Sequence, residues 1–415
     1  MIDELARGWA ETKLRACVDV LDSQRVPVNS EERAKRKGDV PYYGATGQVG
    51  WIDDALFDEE LLLIGEDGAP FFDKSKPIAY VISGRSWVNN HAHVLRANSD
   101  IVSNKYLKHF LDSFDFHQYV NGTTRLKLTQ AAMNRIPVRL APRAEQRRIV
   151  AKLDKLLCTV DTCQQRLVKI PVLLKRFRQS VLAAACSGGL SADWRVQKSI
   201  DDEWPTEPLS ELFKMSNGKS LTAIKRRDGD IPVYGGNGRM GNHDAANADG
   251  QVIVIGRVGA QCGNVHFVSG KVWVTDNAIS LEAKREVEPA FYAFFLRAQN
   301  LNQLSAGTGQ PYLSQEILGP IETPIVSLAE QQEIVRRVEE LFALADQIEA
   351  RYAKAKVHVE KLTQSILAKA FRGELVPQDP NDEPASALVE RIKQRDNTNK
   401  SSNRNAKRAA LATGW

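Results

Sequence analysis

No apolar run in the 415-residue chain approaches the ~20 residues that a membrane-spanning helix needs. The acidic start MIDELARGWAE is unlike a secretory signal, so export is not expected. Cysteine is sparse. Cys17, Cys158, Cys163, Cys186 and Cys262 make an odd number with no Cys-x-x-Cys pair, which excludes a disulfide framework and the usual zinc spacings. A reduced, cytoplasmic compartment is the expectation. Strong charge of one sign is also missing: a net +5 permits nucleic-acid binding without requiring it. At this length a single core is not expected, and two or more domains are.

What the chain does have is a seam, written twice. Between Ala329 and about Phe371, apolar or small residues fall at Ile334, Val338, Leu341, Ala345, Ile348, Tyr352, Ala355, Val359, Leu362 and Ile366. Steps of four and three alternate throughout, the 3.5-residue period of a coiled coil. The pattern stands 185 residues earlier at Ile149, Leu153, Leu156, Val160, Cys163, Leu167, Ile170, Leu174, Phe177 and Val181. Two long helices with matching seams can bury them on each other, with Cys163 as a small buried thiol. Pro171 lies inside the first seam, where a kink or a break into two abutting helices is expected.

The rest of the chain is duplicated too. Gly38-Asp-Val-Pro-Tyr-Tyr-Gly-Ala-Thr-Gly47 is echoed by Gly229-Asp-Ile-Pro-Val-Tyr-Gly-Gly-Asn-Gly238, and Leu63–Ala69 by Val254–Ala260, both at an offset of 191. Asn121-Gly-Thr-Thr pairs with Ala306-Gly-Thr-Gly, and from there the offset holds at 185. This is a half-chain duplication, not a solenoid of short units. The globular parts read as mixed α/β (α+β) with a β majority. Short apolar runs at 61–64, 78–82, 252–255 and 272–274 are bounded by Gly, Pro and Asp, and helical patterns lie near 104–114 and 289–298. Ser187–Arg195 reads as a helix stop and linker. A short helix at 385–394 precedes a polar basic tail, 397–407, expected to be disordered.

Several motifs fail on physical grounds. Gly236-Asn-Gly238-Arg-Met-Gly241 matches a dinucleotide fingerprint, but no helix follows to receive a pyrophosphate. Asn217-Gly-Lys-Ser220 has Phe213 where a P-loop needs glycine. His91-Ala-His93 could present a metal pair, yet the second copy has Asn277 and Ile279 there and no carboxylate cluster is near in sequence. A hydrogen-bonding role is favoured over a ligand role. There is no Asn-Pro-Pro-Tyr adenine-methylation motif and no nucleophile elbow, so the chain reads as a binding and scaffolding protein that binds no metal or cofactor itself.

Ligand contact is best assigned to basic and amide side chains beside the glycine loops. In the first half these are Lys35, Arg36 and Lys37 before the Tyr43 loop, with Arg125 and Lys127 after the Gly-Thr turn. In the second they are Lys225, Arg226 and Arg227, then Tyr234, Asn237 and Arg239, then Gln310 and Tyr312. Glycine lets a backbone approach phosphate, while Asn, Gln and Arg can read base edges. A solvated loop is the plain alternative for each residue.

Ala144-Glu-Gln-Arg-Arg-Ile149 and Ala329-Glu-Gln-Gln-Glu-Ile334 open the helices; Arg178-Gln-Ser-Val-Leu-Ala183 and Thr363-Gln-Ser-Ile-Leu-Ala368 lie near their ends. With Val233-Tyr-Gly-Gly-Asn-Gly238 and Gly307-Thr-Gly-Gln-Pro-Tyr-Leu313, the chain resembles the specificity subunit of type I restriction–modification enzymes. The resemblance implies target-recognition domains at 1–142 and 204–327, conserved helical regions at 143–190 and 328–376, a linker at 191–203 and a C-terminal segment at 377–415. It implies two antiparallel coiled-coil helices with an internal pseudo-two-fold repeat. It also implies a non-catalytic subunit that reads a bipartite, asymmetric site in double-stranded DNA and docks two modification subunits and restriction subunits. S-adenosylmethionine, ATP and Mg would belong to those partners. A seam of about 33 residues at ~1.5 Å each is about 50 Å long, one to one and a half turns of duplex. Outward-facing Arg147, Arg148, Arg336 and Arg337 are candidates for partner docking. The competing expectation is a two-headed adaptor that binds protein or carbohydrate.

Overall fold

The computed structural model describes residues 5–200, 203–307 and 309–394, so the basic tail at 397–407 lies outside the described residues. Internal packing divides the chain into two units, residues 1–167 with 354–415 and residues 168–353.

In the first unit, Leu61–Gly65 is buried along its whole length, as expected of a run of five residues with only one glycine among aliphatics. Successive side chains point to opposite faces of a strand. Leu62 and Ile64 accordingly join the main core with Tyr106 and Phe110, while Leu61 and Leu63 join a second core with Val88 and Val94. The strand sits inside a four-stranded antiparallel sheet, between Ala92–Ala97 and Ala79–Ile82. The helix Asn104–Ser113 covers one face, its start capped by the Ser103 hydroxyl accepting the Tyr106 N–H. Asp112 near its end accepts the N–H groups of Ile78 and Ala79. A second sheet carries the hairpin Val40–Gly44 with Gly47–Ile52, the latter at the sheet edge.

The second unit repeats this plan. Gln251–Gly256 is the inner strand, with Ile253 and Ile255 in one core and Val252 and Val254 in the other. Pro289–Ala298 is the covering helix, and the hairpin is Ile231–Gly235 with Gly238–His243, again with the latter at the edge.

The two long helices are Arg143–Cys186 and Leu328–Phe371, each of 44 residues. The helix runs unbroken through Pro171, so the expected break into two helices does not occur. In the first unit, Ile149 and Leu153 near the start of one helix share a core with Leu367, Ala370 and Phe371 at the end of the other. In the second unit, Val181 and Ala185 near an end meet Ile334 and Val338 near a start, and Arg178 bonds Asp346 and Glu349, each at 2.7 Å. Within each unit the pairing is therefore antiparallel.

The seam is not uniformly dry. Ile149, Leu153, Val160, Leu174, Val181, Ile334, Val338 and Ala345 are buried; Leu156, Leu167, Leu341, Tyr352, Val359, Leu362 and Ile366 are half-buried. Ile348 and Cys163 are exposed, which corrects the expectation of a buried thiol at Cys163. The reason is geometric: the most deeply buried seam residues near the helix ends also join a globular core, and Cys163 and Ile348 join none.

The stretch expected to be a linker is also structured. After Gly188 turns left-handed at φ 74°, Gly189–Ser191 forms a 3-10 turn and Ala192–Lys198 a helix. Ser191 of the turn and Arg195 of the helix are both buried, and both bond the Glu330 carboxylate, at 2.7 and 2.9 Å. Polarity in the sequence marked a loop there, whereas the charge pairs inside the fold.

Candidate nucleic-acid interface

In each domain the hairpin turn meets the segment after the Gly-Thr motif, while the basic triplet stands at the hairpin's open end, where Gly38 lies against Ile52 and Asp53 and Gly229 against His243 and Asp244. In the first, Gly44 pairs with Gly47 across the turn, and a Cβ on Gly65 would lie 3.0 Å from the Ala45 carbonyl oxygen. The Gly68 N–H bonds the Leu126 carbonyl, which draws in the segment carrying Arg125 and Lys127. In the second, Gly256 lies against Gly236, and Val258 bridges to Tyr312. The hairpin turn with Asn237, the 256–259 loop and the segment after the Gly-Thr motif therefore converge, bringing Tyr234, Asn237 and Arg239 to the loop cluster that carries Gln310 and Tyr312.

The basic residues divide by partner. Arg36 is held by Asp53 at 2.7 Å and lies over the Trp87 ring at 4.5 Å. The bond from Arg36 also keeps the Asp53 carboxyl below its ordinary range. Arg125 pairs with Asp67 at 3.0 Å and Lys127 with Glu66 at 3.2 Å. Arg226 donates to the Met240 and Asn242 carbonyls at 2.8 and 3.0 Å, clamping the outer strand of its hairpin; Arg227 pairs with Asp244 at 3.3 Å. Arg239 donates to the Asn242 side chain at 2.8 Å. Lys35, Lys37 and Lys225 are exposed, and among the described residues no carboxylate lies in ion-pair range of them. They are the cations most available to phosphate. Beside Lys37, an open groove of about 370 Å³ is lined by Ser30, Arg33, Ala34, Arg36, Gly38 and Trp51.

The histidine pair resolves differently from its sequence setting. Asp22, Glu66 and Asp67 do approach it, so carboxylates distant in sequence are near in space. His93 is buried, with Nδ1 2.6 Å from Asp22 and Nε2 2.8 Å from the Leu128 carbonyl. One ligand atom each from Asp22, Glu66 and His93 lie within 4.8 Å of one another, a spacing a cation could use. The Arg25 guanidinium already supplies positive charge there, 2.8 Å from Glu66 and 3.5 Å from Asp22. The group is an ion-pair network that ties the strand of His93 to the Leu128 segment.

Of the helix arginines, Arg148 pairs with Asp382 at 2.7 Å, Arg336 with Glu333 and Glu340, and Arg337 with Glu333 and Asp193. Arg336 and then Arg337 hold the Glu333 carboxyl down at about 2. Three of the four docking candidates are thus engaged within the chain; Arg147 is exposed. In the sequence, Glu145 and Gln146, and Glu330 and Gln331, stand only as parts of a motif. All four are buried: Glu145 takes the Trp9 indole N–H at 3.2 Å and Glu330 that of Trp204 at 3.4 Å. The tryptophan that opens each half and the glutamate that opens each helix recur together. That shared repetition was the available signal.

A duplicated α+β domain with a basic, glycine-bounded hairpin, joined to paired long helices, defines a class. Residues 7–172 and 201–357 match the model of the type I restriction modification DNA specificity domain, and the chain belongs to that family. It is 33 % identical over 341 residues to the type I restriction enzyme StySPI specificity subunit of Salmonella potsdam, covering 70 % of this chain and 72 % of that one. The HsdS subunit from Thermoanaerobacter tengcongensis shares the fold, with a TM-score of 0.59 at 17 % identity over 90 % of this chain and 98 % of that chain. A chain from a structure describing type I complex assembly and conformational transition gives a TM-score of 0.62 at 17 % identity, over 90 % of this chain and 100 % of that one.

Proposed function

We propose that this chain is the DNA-reading subunit of a type I restriction–modification complex. Each unit reads one short word of a bipartite, asymmetric duplex site. The observation that carries this reading is the pair of hairpin clusters. They share backbone plan, edge position and basic residues, yet their outward side chains differ, as two readers of two different words require. Lys35, Lys37 and Lys225 are suited to phosphate, which positions a reader without specifying sequence.

The chain itself carries no catalytic step in this proposal. Two modification subunits would bring S-adenosylmethionine and methylate adenine; restriction subunits would bring ATP and Mg. The long helices would scaffold them, in keeping with the complex-assembly structure that shares this fold. No helix among the described residues is long and apolar enough to cross a membrane, and a reader of chromosomal DNA would work in the cytoplasm.

The test is single-molecule sequencing of genomic DNA for N6-methyladenine, with and without this gene. A two-part methylated motif that disappears on deletion is expected. An unchanged methylome, with the partner subunits expressed, would overturn the proposal.

A further inference from the structure

The two hairpins share a feature that the sequence repeat does not display. In the first, Tyr42 pairs with Gly50 and Tyr43 with Gln48, so Val49 is an extra residue, a β-bulge. In the second, Val233 pairs with Gly241 and Tyr234 with Arg239, which leaves Met240 as the bulge at the corresponding place. Both bulge residues are apolar and open to solvent, Val49 at 48 % and Met240 at 54 %. Each lies over a glycine of the hairpin's other strand. A Cβ on Gly44 would meet Val49 at 3.3 Å, and one on Gly235 would meet the Met240 sulfur at 2.5 Å. Bulges re-aim side chains beside functional sites, and a strand glycine marks close approach by another group. Immediately before each bulge stands an exposed side chain able to make two parallel hydrogen bonds, Gln48 in one and Arg239 in the other.

We propose that the bulged edge strand of each hairpin enters the major groove of duplex DNA, and that Gln48–Val49 and Arg239–Met240 are the specificity-determining pairs of the two units. This rests on the DNA-reading function proposed above and deepens it. A two-stranded ribbon fits the major groove, where glutamine matches adenine N6 and N7, arginine matches guanine O6 and N7, and an apolar side chain meets the thymine methyl. Lys37 and Lys225 supply the charge complementarity to the backbone that such an approach needs.

The experiment expresses the whole chain with its modification subunits in a host lacking adenine methylation and sequences N6-methyladenine. Arg239→Ala with Met240→Ala is expected to relax one position or two adjacent positions in one half of the motif by about tenfold or more, leaving the other half intact. Gln48→Ala with Val49→Ala is expected to do the same in the opposite half. A motif unchanged in both halves, or methylation weakened equally at every site without a change of motif, overturns the assignment while leaving the subunit's function standing. No two-part motif from the unaltered chain would overturn both. Thermal melting accompanies each variant. If a double variant fails to fold, Arg239→Lys and Val49→Thr carry the same expectation at smaller size.

Discussion

Glu145 and Glu330 hold the same place in the two halves of the duplication, each at the start of a long helix and each receiving an indole N–H. Their surroundings differ. Glu330 is enclosed by Ser191 and by the buried Arg195, whose guanidinium donates to it at 2.9 Å and lies over the Trp204 ring at 5.4 Å. Glu145 is buried to 1 % exposure, and burial pushes its carboxyl above the ordinary range, against the Trp9 bond and the charge of Arg148. The first helix is followed by a segment carrying a cation back to the next domain, whereas the second is followed by one carrying Asp382, which pairs with Arg148 instead. A duplicated backbone thus keeps its helix–domain joint while the electrostatics of that joint diverge.

The comparison breaks most visibly at the carboxylates. Glu330→Gln keeps the shape but removes the charge opposite buried Arg195, a change expected to cost about 3–5 kcal/mol. Glu145→Gln keeps an acceptor for Trp9 and removes a poorly solvated charge, so its effect should stay within about 1 kcal/mol. Urea unfolding followed by hydrogen exchange in each unit measures both. Equal losses would mean that the two joints are energetically alike despite Arg195.

A smaller contrast lies among the surface cations. Lys35→Ala with Lys37→Ala should lower DNA affinity and reduce the slope of log affinity against log salt by about 0.9 for each phosphate no longer neutralised. Arg125→Ala should change that slope little, because Asp67 already neutralises Arg125. Binding titrations between low and moderate salt decide it. A larger slope change from Arg125 would place the phosphates on the Gly-Thr side of the domain.

Much of this organisation is legible in the sequence, and the parts that are not share a cause. The seam shows in the alternating steps from Ile149 and from Ile334 because helix periodicity is local. The strand at Leu61–Gly65 and the helix at Asn104–Ser113 are likewise local patterns. Arg195 is hidden: its partner Glu330 is 135 residues away, and the glycines and serines before it read as a linker. The bulges at Val49 and Met240 are hidden because a bulge exists only relative to a pairing register. The basic triplets are plain in sequence, but which cations stay unpaired depends on Asp53 and Asp244, supplied by neighbouring strands and turns. Cys163 keeps the seam's phase and is still exposed, since phase places a residue on a face without saying what covers it.

The smallest effect is a pH dependence, and its sign follows from burial at Glu145. A carboxyl held above its unfolded value binds its proton more tightly in the folded chain. The stability it contributes is fully present below the unfolded carboxylate value, near pH ~4.3, and fades as pH rises through the higher folded value. Wild type should therefore lose stability relative to Glu145→Gln as pH rises above the unfolded carboxylate value. The loss should appear in hydrogen-exchange protection at the start of the first long helix and not at the start of the second. A difference that stays flat as pH rises would mean that Trp9 and Arg148 fully compensate the burial, and the two joints would then differ in partners but not in charge.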